Sequence, residues 1–135
     1  MLSLSVLQQG LIQMATSPSS DVSSAAQRFA SVLQSWAMGA TAMGIPAVLP
    51  PMGAVIAGFS AGEKLSSILS KFWPLVVFPG MIAPPSGPAM IDPLTVVSSD
   101  ALGPAAILST AMQSNAMMQI VMFMVGPTPT PFPIV

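Results

Sequence analysis

Gln119-Ile120-Val121-Met122-Phe123-Met124-Val125-Gly126-Pro127-Thr128-Pro129-Thr130-Pro131-Phe132-Pro133-Ile134-Val135 closes the chain, and the fold turns on how this stretch is read. Residues 119–125 are almost wholly apolar, and a run this short has no period that separates helix from strand. Read as helix, they finish a segment that Gly103-Pro104 opens and that runs through Ile107, Leu108, Ala111, Met112, Met117, Met118, Ile120 and Val121. The alternative is a strand over 119–125. Beyond them, Pro127, Pro129, Pro131 and Pro133 alternate with Thr128, Thr130, Phe132 and Ile134. That alternation favours an extended polyproline-II-like tail, which has little conformational entropy left to lose. Such a tail suits docking in a groove on a neighbour, with Phe132, Ile134 and Val135 as its apolar contacts.

Upstream, helical spacing dominates. Leu4, Leu7, Leu11 and Met14 make one stripe and predict a short helix over 2–14, ended by Ser17-Pro18-Ser19-Ser20. Ser20 or Asp21 is a suitable N-cap for the next helix. There, Val22, Ala26, Phe29, Leu33, Trp36 and Ala40 recur at spacings of four and three, a seam suited to packing on another helix. The opposite face, Ser23, Ser24, Gln27, Ser31, Gln34 and Ser35, is polar but nearly uncharged. Residues 39–51 read as a Gly/Pro connector, with Pro51 at the first position of a helix over 52–73 that bends near Gly62. Ser60 and Glu63 have capping-box spacing, so a second helix can start there. Lys64 and Lys71 lie opposite its apolar face and read as a solvated side. Residues 75–93 read as irregular, and Asp92-Pro93 as a cap for one or two further turns. The expected architecture is therefore mainly α: short-to-medium helices joined by Pro/Gly-rich connectors in one domain over 1–126, with an extended Pro-rich tail over 127–135.

Charge constrains function more than any motif does. Asp21, Arg28, Glu63, Lys64, Lys71, Asp92 and Asp100 are the only charged side chains, 5% of the chain, where an ordinary domain has roughly 25%. A monomer in water relies on surface charge to avoid self-association. Three basic residues cannot build a phosphate-binding footprint, so no nucleic-acid partner is expected. With no Cys and no His, disulfides, zinc sites and imidazole or thiolate catalysis are excluded. The first ten residues have no basic n-region, which predicts synthesis and use without secretion.

The mean hydropathy of +0.78 raises a membrane alternative. Uncharged stretches at 29–62, 72–91 and 101–135 are each long enough to cross a bilayer. The first two carry many prolines and glycines, and a proline costs ~3 kcal/mol inside a helix. The densest apolar part of the third, 116–125, spans about 15 Å as helix, half of the hydrocarbon core. Burial within a protein assembly is therefore the primary expectation. A small integral membrane protein is the alternative, with membrane contact and membrane localisation.

No catalytic set emerges. The carboxylates Asp21, Glu63, Asp92 and Asp100 are scattered, and a Ser–Lys pair at Lys64 or Lys71 is the remaining route to a nucleophile. Met112, Met117, Met118, Met122 and Met124 are soft ligands in principle, but without His, Cys or a tight repeat they read as adaptable packing. The expectation is a non-enzyme with no cofactor and no metal. Its candidate protein–protein contacts are Val22, Ala26, Phe29, Leu33, Trp36, Phe132, Ile134 and Val135.

The segment order carries a resemblance. Ala25-Ala26-Gln27-Arg28-Phe29-Ala30, Trp36 and Gly39-Ala40-Thr41 lead into the proline connector from Ile45-Pro46 to Pro50-Pro51. Lys71-Phe72-Trp73, Phe78-Pro79-Gly80, Ile82-Ala83-Pro84-Pro85 and the terminal run Pro127 to Pro133 follow. This order resembles small Ala/Gly/Pro-rich virion structural proteins of tailed phages, although Ser and Met stand here where Ala is the family's habit. The resemblance implies a structural subunit of a tail or baseplate, a homo-oligomer contacting neighbouring structural proteins, assembled in the host cytoplasm and located in the virion. The membrane alternative corresponds to a holin-like protein or a virion membrane component.

Overall fold

The computed structural model describes residues 2–17, 20–90 and 102–135. The expected Asp92-Pro93 cap lies outside them. The elements are α1 (Leu4–Thr16), α2 (Val22–Ala37), β1 (Thr41–Ala42), β2 (Ile45–Pro46), α3 (Gly53–Ser60), α4 (Leu65–Phe72), β3 (Met81–Ser86), α5 (Leu102–Met117), β4 (Ile120–Val125) and β5 (Thr128–Pro133), with a 3-10 turn at Trp73–Leu75.

With 52% helix and 20% strand the fold is mixed α/β, which corrects the mainly α expectation. The correction comes from the C-terminal stretch. Residues 120–125 are strand, and 128–133 are its hairpin partner instead of a separate tail. A two-residue turn, Gly126-Pro127, joins them with Gly126 at φ +63. This is the position where a II′ hairpin turn takes glycine, and its twist matches that of the strands. Ile134 N–H donates to Gln119 O at 3.1 Å, which sets the parity of the ladder. Thr128, Thr130 and Phe132 therefore face β4 in hydrogen-bonded pairs, while Pro129, Pro131 and Pro133 fall in the pairs between them. Their missing amides would have pointed away from β4. A proline at every second residue is thus compatible with an edge strand in this register.

The sheet order is β3-β4-β5, all antiparallel, with proline-free β4 in the centre and Pro84 and Pro85 on the other edge strand. The outward row of β5 continues to Val135, which does carry an amide. Val135 N–H donates to Thr41 O and Thr41 N–H to Val135 O, both at 2.9 Å, so the β1–β2 hairpin attaches at that point. The 39–51 connector accordingly contains this hairpin, turned by Met43 (φ +53) and Gly44 (φ +74).

The helix over 52–73 is two helices. Gly62 at φ +75 breaks it, and neither Ser60 nor Glu63 caps the second half: Ser60 ends α3 and Lys64 is the N-cap residue of α4. Asp21 caps α2, its carboxylate accepting from Ser24 N–H at 2.7 Å. Arg28, in the second turn of α2, donates to Ser17 O and Gln13 O and so meets the last carbonyls of α1 with a cation. Gly10 lets the two helices approach closely. A Cβ there would lie 2.6 Å from Val32 Cγ1 and 2.9 Å from Cγ2.

One buried cluster joins the layers. Leu7 and Leu11 of α1, Phe29, Leu33 and Trp36 of α2, Leu69 and Phe72 of α4, Met112 and Ala116 of α5, and Val121, Phe123 and Ile134 from the hairpin belong to it. Trp36 meets Trp73 edge-on at 5.7 Å, and Phe72 meets Trp73 at 5.1 Å.

Candidate interaction surface

The buried polar side chains Ser109, Asn115 and Gln119 donate hydrogen bonds within the chain. Trp36 Nε1 donates to Gln113 Oε1 at 2.9 Å, and Gln113 Nε2 donates to Leu2 O at 3.3 Å, tying α5 to α2 and to the N-terminal segment. Asn115 Nδ2 and Gln119 Nε2 both donate to Pro88 O, at 2.9 and 3.3 Å. These two amides floor a groove of about 280 Å³ lined by Pro74, Pro84, Pro85 and Pro88. Gln119 Nε2 also donates to Asn115 O at 3.2 Å, so both of its N–H groups are used by backbone carbonyls. Trp73 Nε1 is buried without a hydrogen-bond partner among the described residues.

Among the described residues, the charged groups sit in two places. Asp21 and Arg28 serve the ends of α1 and α2. The Ser24 backbone amide, and secondarily its hydroxyl, hold the Asp21 carboxyl below its usual 3.8. Lys71 Nζ pairs with Glu63 Oε1 at 2.6 Å on an exposed corner of α4. Asp92 and Asp100 lie outside the described residues. No group of three or more His, Cys, Asp or Glu that could hold a metal ion occurs among the described residues.

The expected contact residues divide by element. Ala26, Phe29, Leu33 and Trp36 are buried on α2, which packs on α1 and α3, and the last three belong to the core cluster with Trp73. Ile134 is fully buried, and Phe132 is half-buried with its ring edge-on to Phe123 at 5.9 Å. Val22, at the first turn of α2, is 57% exposed, and Val135 is exposed with its backbone paired to Thr41. Of the expected contact residues, Val22 and Val135 are thus exposed, Phe132 is half-buried and the other five are buried.

Register reveals a surface that the sequence reading missed. Val121, Phe123, Phe132 and Pro85 point inward, whereas Ile120, Met122 and Met124 alternate to the outside opposite Pro133, Pro131 and Pro129. On β3, a register shift places Ala83 opposite Met122, and Ile82 beside it is 51% exposed. The outer face of the sheet is apolar, and no charged residue stands anywhere on its three strands. The alternation of the prolines at 127–133, following an apolar run across Gly126, was the available signal.

No protein-family model matches the chain, and comparisons with curated proteins and with solved structures found no significant match.

Proposed function

We propose that this chain is a non-enzymatic structural subunit of a large protein assembly, packed against copies of itself and neighbouring subunits. The tail or baseplate of a tailed phage is the assembly its segment order resembles. The observation that carries the reading is the scarcity of charge on the folded surface. The chain exposes 7136 Å² and has seven charged side chains, about one per 1,000 Å². One side of a stable interface covers about 800 Å². An average patch of that size holds less than one charge here, so burying it forfeits almost no charge solvation. Fifteen large apolar side chains are exposed among the described residues, including Val22, Met38, Val48, Leu75, Ile82 and Met124. In open water such a surface favours association; inside an assembly it is contact area.

No helix among the described residues is long and apolar enough to cross a membrane, so the membrane alternative gains no support. Fractionation tests the proposal. The chain should sediment with intact particles and leave them on denaturant treatment without detergent. Retention in host membranes after an alkaline carbonate wash overturns the proposal.

A further inference from the structure

The outer face of β3–β4–β5 is built from Ile82, Ala83, Ile120, Met122 and Met124 beside the proline rings of β5, with Ser86 as a lone hydroxyl at one end. An antiparallel sheet with one face on the core ordinarily turns polar residues to water on the other. This one does not. Each strand is six residues long, so the face measures about 20 Å by 14 Å, roughly 300 Å² in projection.

Two features decide how it can be covered. The first is the edge. On β5 the outward backbone positions 129, 131 and 133 are prolines, and the next, Val135, is already paired with Thr41. On β3 two register shifts and Pro84-Pro85 interrupt the ladder. Strand addition is thereby blocked, and contact must come through the face. The second is charge. A partner bringing charged side chains would strand them over a surface with no counter-ion and no hydrogen-bonding side chain except Ser86. A second copy brings an identical uncharged face with the same twist, and sheets of like twist stack at about 10 Å. Methionines adapt to imperfect complementarity at such a contact.

We propose that two copies of this chain pair through these outer faces by a two-fold axis, Met122 and Met124 of one packing on the same strands of the other. The inference rests on the structural-subunit reading and gives that reading its contact. At roughly 300 Å² per copy, against about 800 Å² for a stable complex, the pair is weak alone and depends on other contacts in the assembly to raise the local concentration.

The absence of cysteine makes the test direct. Met124→Cys, Val22→Cys and Val77→Cys each place one thiol at an exposed position, on the sheet face for the first and elsewhere for the others. The full chain, concentrated and treated with a bismaleimide of about 10 Å span, should give covalent dimer about tenfold more readily from Met124→Cys than from either control. Adding Ile82→Glu, a charge at an exposed site, should return Met124→Cys to the control level with the far-UV circular dichroism unchanged. Equal yields at all three positions, or a Met124→Cys yield that Ile82→Glu leaves unchanged, overturn the pairing. A Met124→Cys cross-link in assembled particles to a chain of different mass also overturns it, while leaving the subunit reading intact. Loss of the chain from particles in fractionation removes the subunit reading itself.

Discussion

Gly10 sits mid-helix in α1, where alanine would add about 1 kcal/mol of helix propensity. The reason for glycine is Val32 on α2. An added Cβ would lie 2.6 Å from Cγ1, 2.9 Å from Cγ2 and 3.2 Å from Cβ, about 1 Å inside ordinary carbon contact. Valine is stiff at χ1, so it cannot swing aside cheaply, and overpacking of this kind costs about 1–3 kcal/mol. Gly10→Ala should therefore lose between about 0 and 2 kcal/mol once the propensity gain is set against the clash. Val32→Ala alone, at a half-buried site, should lose about 1 kcal/mol. In the double variant the clash is gone and the propensity gain remains, so stability should return close to that of the parent. The coupling between the two positions is the quantity of interest, about 1–3 kcal/mol in favour of the double variant. Urea unfolding followed by circular dichroism and by Trp36 and Trp73 fluorescence resolves it, since 1 kcal/mol moves the midpoint by about 0.5–1 M. Additivity within about 0.5 kcal/mol would show that the helices do not meet at this point, and the close-approach argument would fail.

Four further outcomes follow from the same geometry. Gln113→Met should leave Trp36 Nε1 buried without its acceptor and cost about 1–3 kcal/mol, seen as a lower urea midpoint with a shift in tryptophan emission. Asp21 has its folded-state pKa lowered below the unfolded value of 3.8, so its capping contribution is complete above that value and lost as pH falls through the folded pKa. A carboxyl NMR titration should place Asp21 below 3.8, and Asp21→Asn should keep the cap while removing this part of the acid sensitivity. Met43 holds φ +53 on an exposed hairpin turn, so Met43→Asn should raise the thermal midpoint by the equivalent of about 0.5–1 kcal/mol. Replacing Pro129, Pro131 and Pro133 together by threonine restores three outward amides to β5. The variant should keep its hairpin yet bind thioflavin T on concentration, and an unchanged aggregation rate would refute the edge argument.

Helical periodicity was legible wherever one face of a helix meets the core. The α2 seam at Ala26, Phe29, Leu33 and Trp36 and the Asp21 cap both follow from local rules, because a capped amphipathic helix fixes its buried face through its own spacing. The hairpin did not follow. Val121 and Phe123 are buried for one reason and Met122 and Met124 are apolar for another, so the period of two that normally marks a strand is erased when both faces are hydrophobic. Proline misled in the same place. Its alternation in 127–133 resembles a polyproline segment, and it becomes a strand only because every missing amide falls on the side away from β4. That fact depends on pairing with residues on the other side of Gly126. Likewise Gly10 carries no local signal, since its purpose lies at Val32, in another helix.

The scarcity of charge takes a specific form once the strands are placed. A chain with this surface is exposed to two kinds of association, through sheet edges and through apolar faces, and the structure treats them differently. Edges are closed: proline on β5, bulges and proline on β3, and the Thr41–Val135 pair at the one outward amide. Faces are left apolar, with methionine instead of lysine or glutamate at Met122 and Met124. Edge pairing is open-ended and leads to fibres, whereas two faces related by a two-fold axis satisfy each other and stop. Under the proposed pairing, the arrangement separates limited assembly from aggregation with almost no charge, the means on which most soluble proteins rely.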